Sequence, residues 1–184
     1  MSEEGVVAPA AELPRQVEEL MAFVELGAAE LEAIRRSAPV VLRHEGELTA
    51  AVYEHFLRFP ASARFFVDDA GAPETERIER RKVSLGRWLR ETATAAMDPQ
   101  HVYALLTISL SHSHRTWGRG GRVPPELMVG SMSLLQTALA RILHAELASP
   151  AEALEASIAW NKLLLVQLHV LLVGYSLPPP RPAA

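Results

Sequence analysis

Near the middle of the chain, residues 108–115 read ISLSHSHR, with His112 and His114 closing an apolar run. Two imidazoles so close could bind a metal together, split into one ligand and one bystander, or do neither. Two helical positions two residues apart point about 200° from one another, so a metal shared between them is disfavoured. No HExxH pattern or carboxylate set supports zinc. On a helix His112 stacks over Leu105, Ile108 and Ser109, and His114 over Leu106, Thr107 and Leu110. Both stripes are partly apolar, so periodicity does not choose between them. Either histidine, close to a helix C-terminus, could simply complement the helix dipole. The alternating Ser109, Ser111 and Ser113 form no nucleophile elbow. The glycines from Gly118 to Gly121 follow a helix rather than precede one, which suits a C-terminal connector and not a phosphate loop.

Composition removes further classes. The chain has no cysteine, which excludes disulfides, thiolate metal sites and covalently attached c-type haem, and fits a cytoplasmic location. Its 18 Lys and Arg against 22 Asp and Glu give a net charge of −4. The densest cationic stretch, Arg77 to Lys82, carries its own glutamate, so it reads as a solvated helix face and no nucleic acid is expected as partner. The most apolar run, Leu163 to Leu172, contains Gln167 and His169 and is about half the roughly 20 residues a bilayer needs. It belongs in a core, with no membrane implied.

The elements that must hold these residues are helices throughout. Alanine, leucine, glutamate and arginine dominate, and no alternating β-branched run occurs. A first helix covers about 11–25. A second begins near Ala28 and passes around Ser37-Ala38-Pro39 into a third, which reaches about Phe59. Pro60 opens a short turn, and Pro73-Glu74 starts a helix to about Ala95. Asp98-Pro99 caps the helix of the two histidines. Pro124-Pro125 and Ser149-Pro150 open the last two, which should fold back on each other. Residues 1–11 are expected to be a flexible segment and 177–184 a proline-rich disordered tail, leaving one domain over 12–176. Unequal helices and sharp connections favour a globin-like all-α arrangement over a regular bundle.

Several stretches, taken in order, resemble the protoglobins and the globin domains of haem-based sensors. They are ELGAAELEAI (25–34), AVYEHFLRFPASARFF (51–66), SLGRWL (84–89), YALLTISLSH (103–112) and PAEALEASIAWNKLLLVQ (150–167). The resemblance implies a three-over-three helical sandwich with an extra N-terminal helix, holding haem b. Measured from Trp88, the family's axial histidine falls on His112, which makes His114 the bystander. Tyr53 takes the place of the family's distal tyrosine, whose hydroxyl can donate to dioxygen. Phe56, Phe66 and Leu85 become pocket walls. Val52 and Leu85 stand where the family commonly has tryptophan and phenylalanine, which implies a roomier distal side. Arg81, one turn before Leu85, could approach that side or a haem propionate, although its charged surroundings favour solvent.

The function implied is reversible binding of O2, CO or NO at a histidine-ligated iron. The alternatives are a gas sensor that signals through a homodimer of its last helices, or haem side chemistry such as carbene transfer with supplied reagents. No native reaction is implied. A haem-free helical scaffold is the reading of a different class.

Overall fold

The computed structural model describes residues 11–117 and 120–178. Among them are eight helices: α1 (Leu13–Phe23), α2 (Ala28–Arg43), α3 (Glu45–Arg58), α4 (Pro60–Ala63), α5 (Thr75–Ala93), α6 (Pro99–His114), α7 (Pro125–Glu146) and α8 (Pro150–Ser176). The described residues contain no strand, only one antiparallel bridge between Val67 and Pro73. The expected flexible N-terminal segment and proline-rich tail lie almost wholly outside the described residues.

Helices α2, α5 and α6 pack over α3, α7 and α8, while α1 lies against α6 and α8. The helix starts follow local chemistry. Asp98 Oδ1 accepts the His101 N–H at 2.9 Å, and Ser149 Oγ accepts the Glu152 N–H at 3.2 Å, each followed by proline at the first helical position.

One expected boundary moves. Helix α2 runs through Pro39 to Arg43, and the break falls at His44 instead. Proline forfeits one hydrogen bond inside a helix, but Ala38 and Val41 on either side of it are buried in the core, and their packing holds the helix together. At His44 the ring lies between Glu47 (3.0 Å) and Glu146 (3.2 Å), which ties the corner to the end of α7.

Helix α8 is the centre of the core. Its buried residues, from Ala153 to Gly174, face several directions at once, as expected of a helix enclosed by others. By length and apolarity α8 could cross a membrane, yet 56% of its most apolar window is buried against the rest of the fold. Gln167, the polar interruption in that run, is fully buried, with its Oε1 accepting from Thr92 Oγ1 at 3.1 Å. Trp160 is 1% exposed and donates from Nε1 to Ser37 Oγ at 3.0 Å. Trp160→Ala is therefore expected to destabilise the fold by about 3–5 kcal/mol in chemical denaturation, because it opens a large cavity where α8 meets α2. Trp160→Phe, which keeps most of the volume, should cost markedly less.

Candidate functional site: an apolar pocket holding His112

Helix α6 is fastened at its end by groups from the following connection. The Trp117 Nε1–H donates to the Ser111 carbonyl at 2.9 Å, and the Val123 N–H to the His112 carbonyl at 3.1 Å. Carbonyls that a helix end leaves without partners are thus satisfied, and the last turn, with His112 on it, is held in place.

His112 lies in the wall of a pocket with Tyr53 and Phe56 from α3, Phe65 and Phe66 from the corner after α4, Arg77 and Arg81 from α5, and Met128 from α7. The pocket encloses about 610 Å3 including its mouth, and about 100 Å3 of this admits the centre of a water molecule. That is several times the roughly 10–15 Å3 a single water requires. Three aromatic rings build one wall. Tyr53 meets Phe56 and Phe66 edge-on at 5.6 and 5.3 Å, and the two phenylalanines stack at 6.0 Å.

The hydrogen bond of His112 fixes its chemistry. Nδ1 lies 2.8 Å from the Ile108 carbonyl oxygen, which can only accept, so the proton sits on Nδ1. Nε2 keeps a lone pair. Burial pushes the imidazole pKa below its usual value, the positive charge of Arg81 adds to this, and the Ile108 bond opposes it. The side chain is therefore a neutral donor at neutral pH. The Ile108 carbonyl behind the ring fixes its orientation, as hydrogen-bond acceptors do for the far nitrogen of ligating histidines.

His114 points elsewhere. Its Nε2 donates to the Leu177 carbonyl at 3.1 Å and its Nδ1 lies 2.7 Å from Ser113 Oγ. It borders a separate surface cleft with Arg122 and Tyr175.

Tyr53 is 8% exposed, and its hydroxyl makes no hydrogen bond among the described residues. Burial raises its pKa, against the lowering effect of Arg81, so the phenol stays protonated and able to donate. Leu85 and Val52 lie outside the set that borders the pocket and pack into the core instead. Arg81 is the opposite case. Its charged stretch suggested solvent, but it is half-buried in the pocket wall, with its guanidinium 3.9 Å from the centre of the Trp117 ring. Sequence reasoning passed over Phe65, Arg77, Trp117 and Met128 as site residues.

A helical sandwich whose pocket combines aromatic walls, a neutral imidazole with a free nitrogen and an unbonded phenol is a globin-class fold. The sequence matches the Protoglobin family profile over residues 13–177, and the chain belongs to that family. The structure is similar to the globin domain of the Geobacter sulfurreducens globin-coupled sensor, with a TM-score of 0.72 at 18% identity, covering 86% of this chain and 96% of that one. It is also similar to the globin domain of E. coli DosC. The ferric form gives a TM-score of 0.67 at 18% identity (84% and 96% covered), and the ferrous form 0.68 at 19% (85% and 97%). No curated protein sequence matches the chain. Membership of a globin family implies haem binding.

Proposed function

We propose that this protein binds haem b through His112 and reversibly takes a diatomic gas, O2, CO or NO, in the pocket beside Tyr53. The observation that carries the reading is the His112 hydrogen bond. With Nδ1 held by the Ile108 carbonyl, Nε2 is the one nitrogen left to ligate, in a residue that borders an apolar pocket. The pocket suits the group, since a flat apolar macrocycle needs aromatic and aliphatic walls and a neutral nitrogen donor. When bound, haem supplies the iron that holds the gas.

The chain's own residues then set the selectivity. Phe56, Phe65 and Phe66 give the pocket an apolar lining, which would limit the access of bulk water to bound haem. Tyr53 offers an O–H that makes no hydrogen bond among the described residues, suited to a ligand that gathers negative charge on its outer atom, as O2 does and CO does not. Tyr53→Phe should accordingly speed O2 release about tenfold while leaving CO release within about threefold, as read by stopped-flow. Equal effects on both gases would assign Tyr53 to packing alone.

The direct test is the absorption spectrum of haem-loaded ferrous protein with and without CO. A Soret band that shifts with CO supports the reading, whereas a featureless visible spectrum would leave a haem-free helical domain.

A sensing role is the second reading. It is favoured by the hydrogen bonds of Ser109 and Ser113, on the same helix as His112, to the backbone of α8 around Leu171 and Gly174. A change at the pocket would reach the last helix through them.

A further inference from the structure

The connection that fastens the end of α6 also lays a ring against the imidazole. Trp117 stacks on His112, with ring centroids 5.9 Å apart and planes 28° from parallel, inside the roughly 4.5–7 Å over which aromatic rings attract. The guanidinium of Arg81 lies over the same indole, 3.9 Å from the ring centre, a cation–π contact that ties it to α5. Its Nε1–H is bound as well, to the Ser111 carbonyl at 2.9 Å.

The backbone beneath the ring is closed into a turn. The Trp117 N–H donates to the Gly121 carbonyl at 2.7 Å, and the Gly120 N–H to the Trp117 carbonyl at 3.0 Å. Gly120 presses the turn onto the pocket wall, where an added Cβ would stand 2.1 Å from Phe65 Cδ1. The indole is therefore anchored to α5, to α6 and, through its turn, to the corner after α4.

These anchors complete what the Ile108 carbonyl begins. A hydrogen bond at Nδ1 fixes one point of the imidazole, but its angular tolerance is broad and the ring can still rock about that point. A flat, immobile neighbour removes this freedom. The bond sets where Nε2 lies, and the stack sets the plane in which it presents its lone pair.

We propose that Trp117 is the positioning residue of the axial ligand: it sets the plane of the His112 imidazole, and through it the strength of the bond from Nε2 to iron. The inference rests on the haem reading and deepens it, because control of the gas site passes in part to the connection between α6 and α7. A shift of α5 or of that connection reaches the ligand through one ring.

The test compares wild type, Trp117→Phe and Trp117→Leu, each loaded with haem. Resonance Raman spectra of the ferrous proteins report the iron–histidine stretch, and the transfer of haem to an excess of a competing haem-binding protein is timed alongside. Phenylalanine keeps a ring against His112 but loses the bond to Ser111, so Tm should fall while the stretch and the rate of haem loss stay close to wild type. Leucine loses the flat face too. Its stretch should move and broaden, and haem should leave about tenfold faster, as when an orienting partner of a ligating histidine is removed.

A stretch unmoved in Trp117→Leu, with only Tm lowered, would reduce Trp117 to packing and overturn the proposal. An equal shift in both variants would overturn it as well, since control would then lie in the Nε1–H bond and not in the stack. The absence of a Soret band in wild type would sink the haem reading and this inference with it, whereas a normal wild-type band beside an unmoved stretch sinks this inference alone.

Discussion

Replacing His112 with glycine is expected to abolish the CO-shifted Soret band of the haem-loaded protein and to weaken haem affinity by about a hundredfold or more, since loss of an orienting partner alone typically costs 10–100-fold. Imidazole added from solvent should restore the band, because the cavity left by the side chain has the right shape and the Ile108 carbonyl remains to accept its N–H. His114→Ala should leave the spectrum in place. Both nitrogens of His114 are engaged, one with Ser113 and the other with Leu177 at the end of α8, so its removal is a matter of stability. Absorption spectra of the two variants, with haem transfer to a competing protein as the affinity measure, separate these outcomes. A spectrum lost in His114→Ala and kept in His112→Gly would move the ligand to His114 and contradict the geometry. A change confined to thermal stability in both would remove the haem reading.

What the sequence disclosed follows the reach of local chemistry. The starts of α6 and α8 were legible because Asp98-Pro99 and Ser149-Pro150 carry cap and first turn within two residues. The end of α2 was not, because Pro39 is a local signal that tertiary packing overrides, while the break at His44 depends on Glu146 over a hundred residues away. Tyr53 and Phe56 could be placed together from their spacing on one helix. Phe65 and Trp117 could not, since corners and connections have no periodicity to read.

Arg81 shows how a correct local rule can mislead. The stretch from Arg77 to Lys82 is charged enough to read as a solvated face, and Arg80 is indeed exposed, in an ion pair with Glu76. Yet Arg77, Arg81 and Leu85 form an i, i+4 stripe, and α5 is anchored by buried Ile78 near its start and by Trp88 and Leu89 near its end. Fixing those three sets the rotation of the helix, which turns the two arginines toward the pocket. Following the stripe back from Leu85 does raise Arg81 as a neighbour of the distal side, but the charge around it weighs toward solvent. The choice of His112 over His114 was likewise beyond periodicity. It came from family resemblance, and the structure now adds a separate physical argument in the single carbonyl that takes up Nδ1.

A substantial effect on the scaffold is also expected from Gly174→Ala, where two influences oppose each other. Alanine in place of a helical glycine ordinarily gains about 1 kcal/mol. Here an added Cβ would lie 2.3 Å from Ser109 Oγ and 3.1 Å from the Ser109 backbone carbon. The first atom could rotate away, but it donates to the Leu171 carbonyl at 2.5 Å and accepts the Gly174 N–H at 3.1 Å, so rotation breaks buried bonds. The second can yield only if α6 as a whole moves off α8. Overpacking of about 1–3 kcal/mol together with one or two lost hydrogen bonds at about 1 kcal/mol each outweighs the propensity gain. The expected net loss is about 2 kcal/mol, or a fall in Tm of roughly 4–8 °C for a domain of this size. Ser109→Ala in the same chain removes the nearest obstacle, so the double variant should be less destabilised than the sum of the singles, by about 1 kcal/mol or more in a double-mutant cycle. Because His112 lies one turn beyond Ser109, the displacement should also change CO binding in Gly174→Ala and largely revert in the double variant. Additive stabilities with unaltered CO kinetics would mean that the contact between α6 and α8 is soft and that His112 does not depend on it.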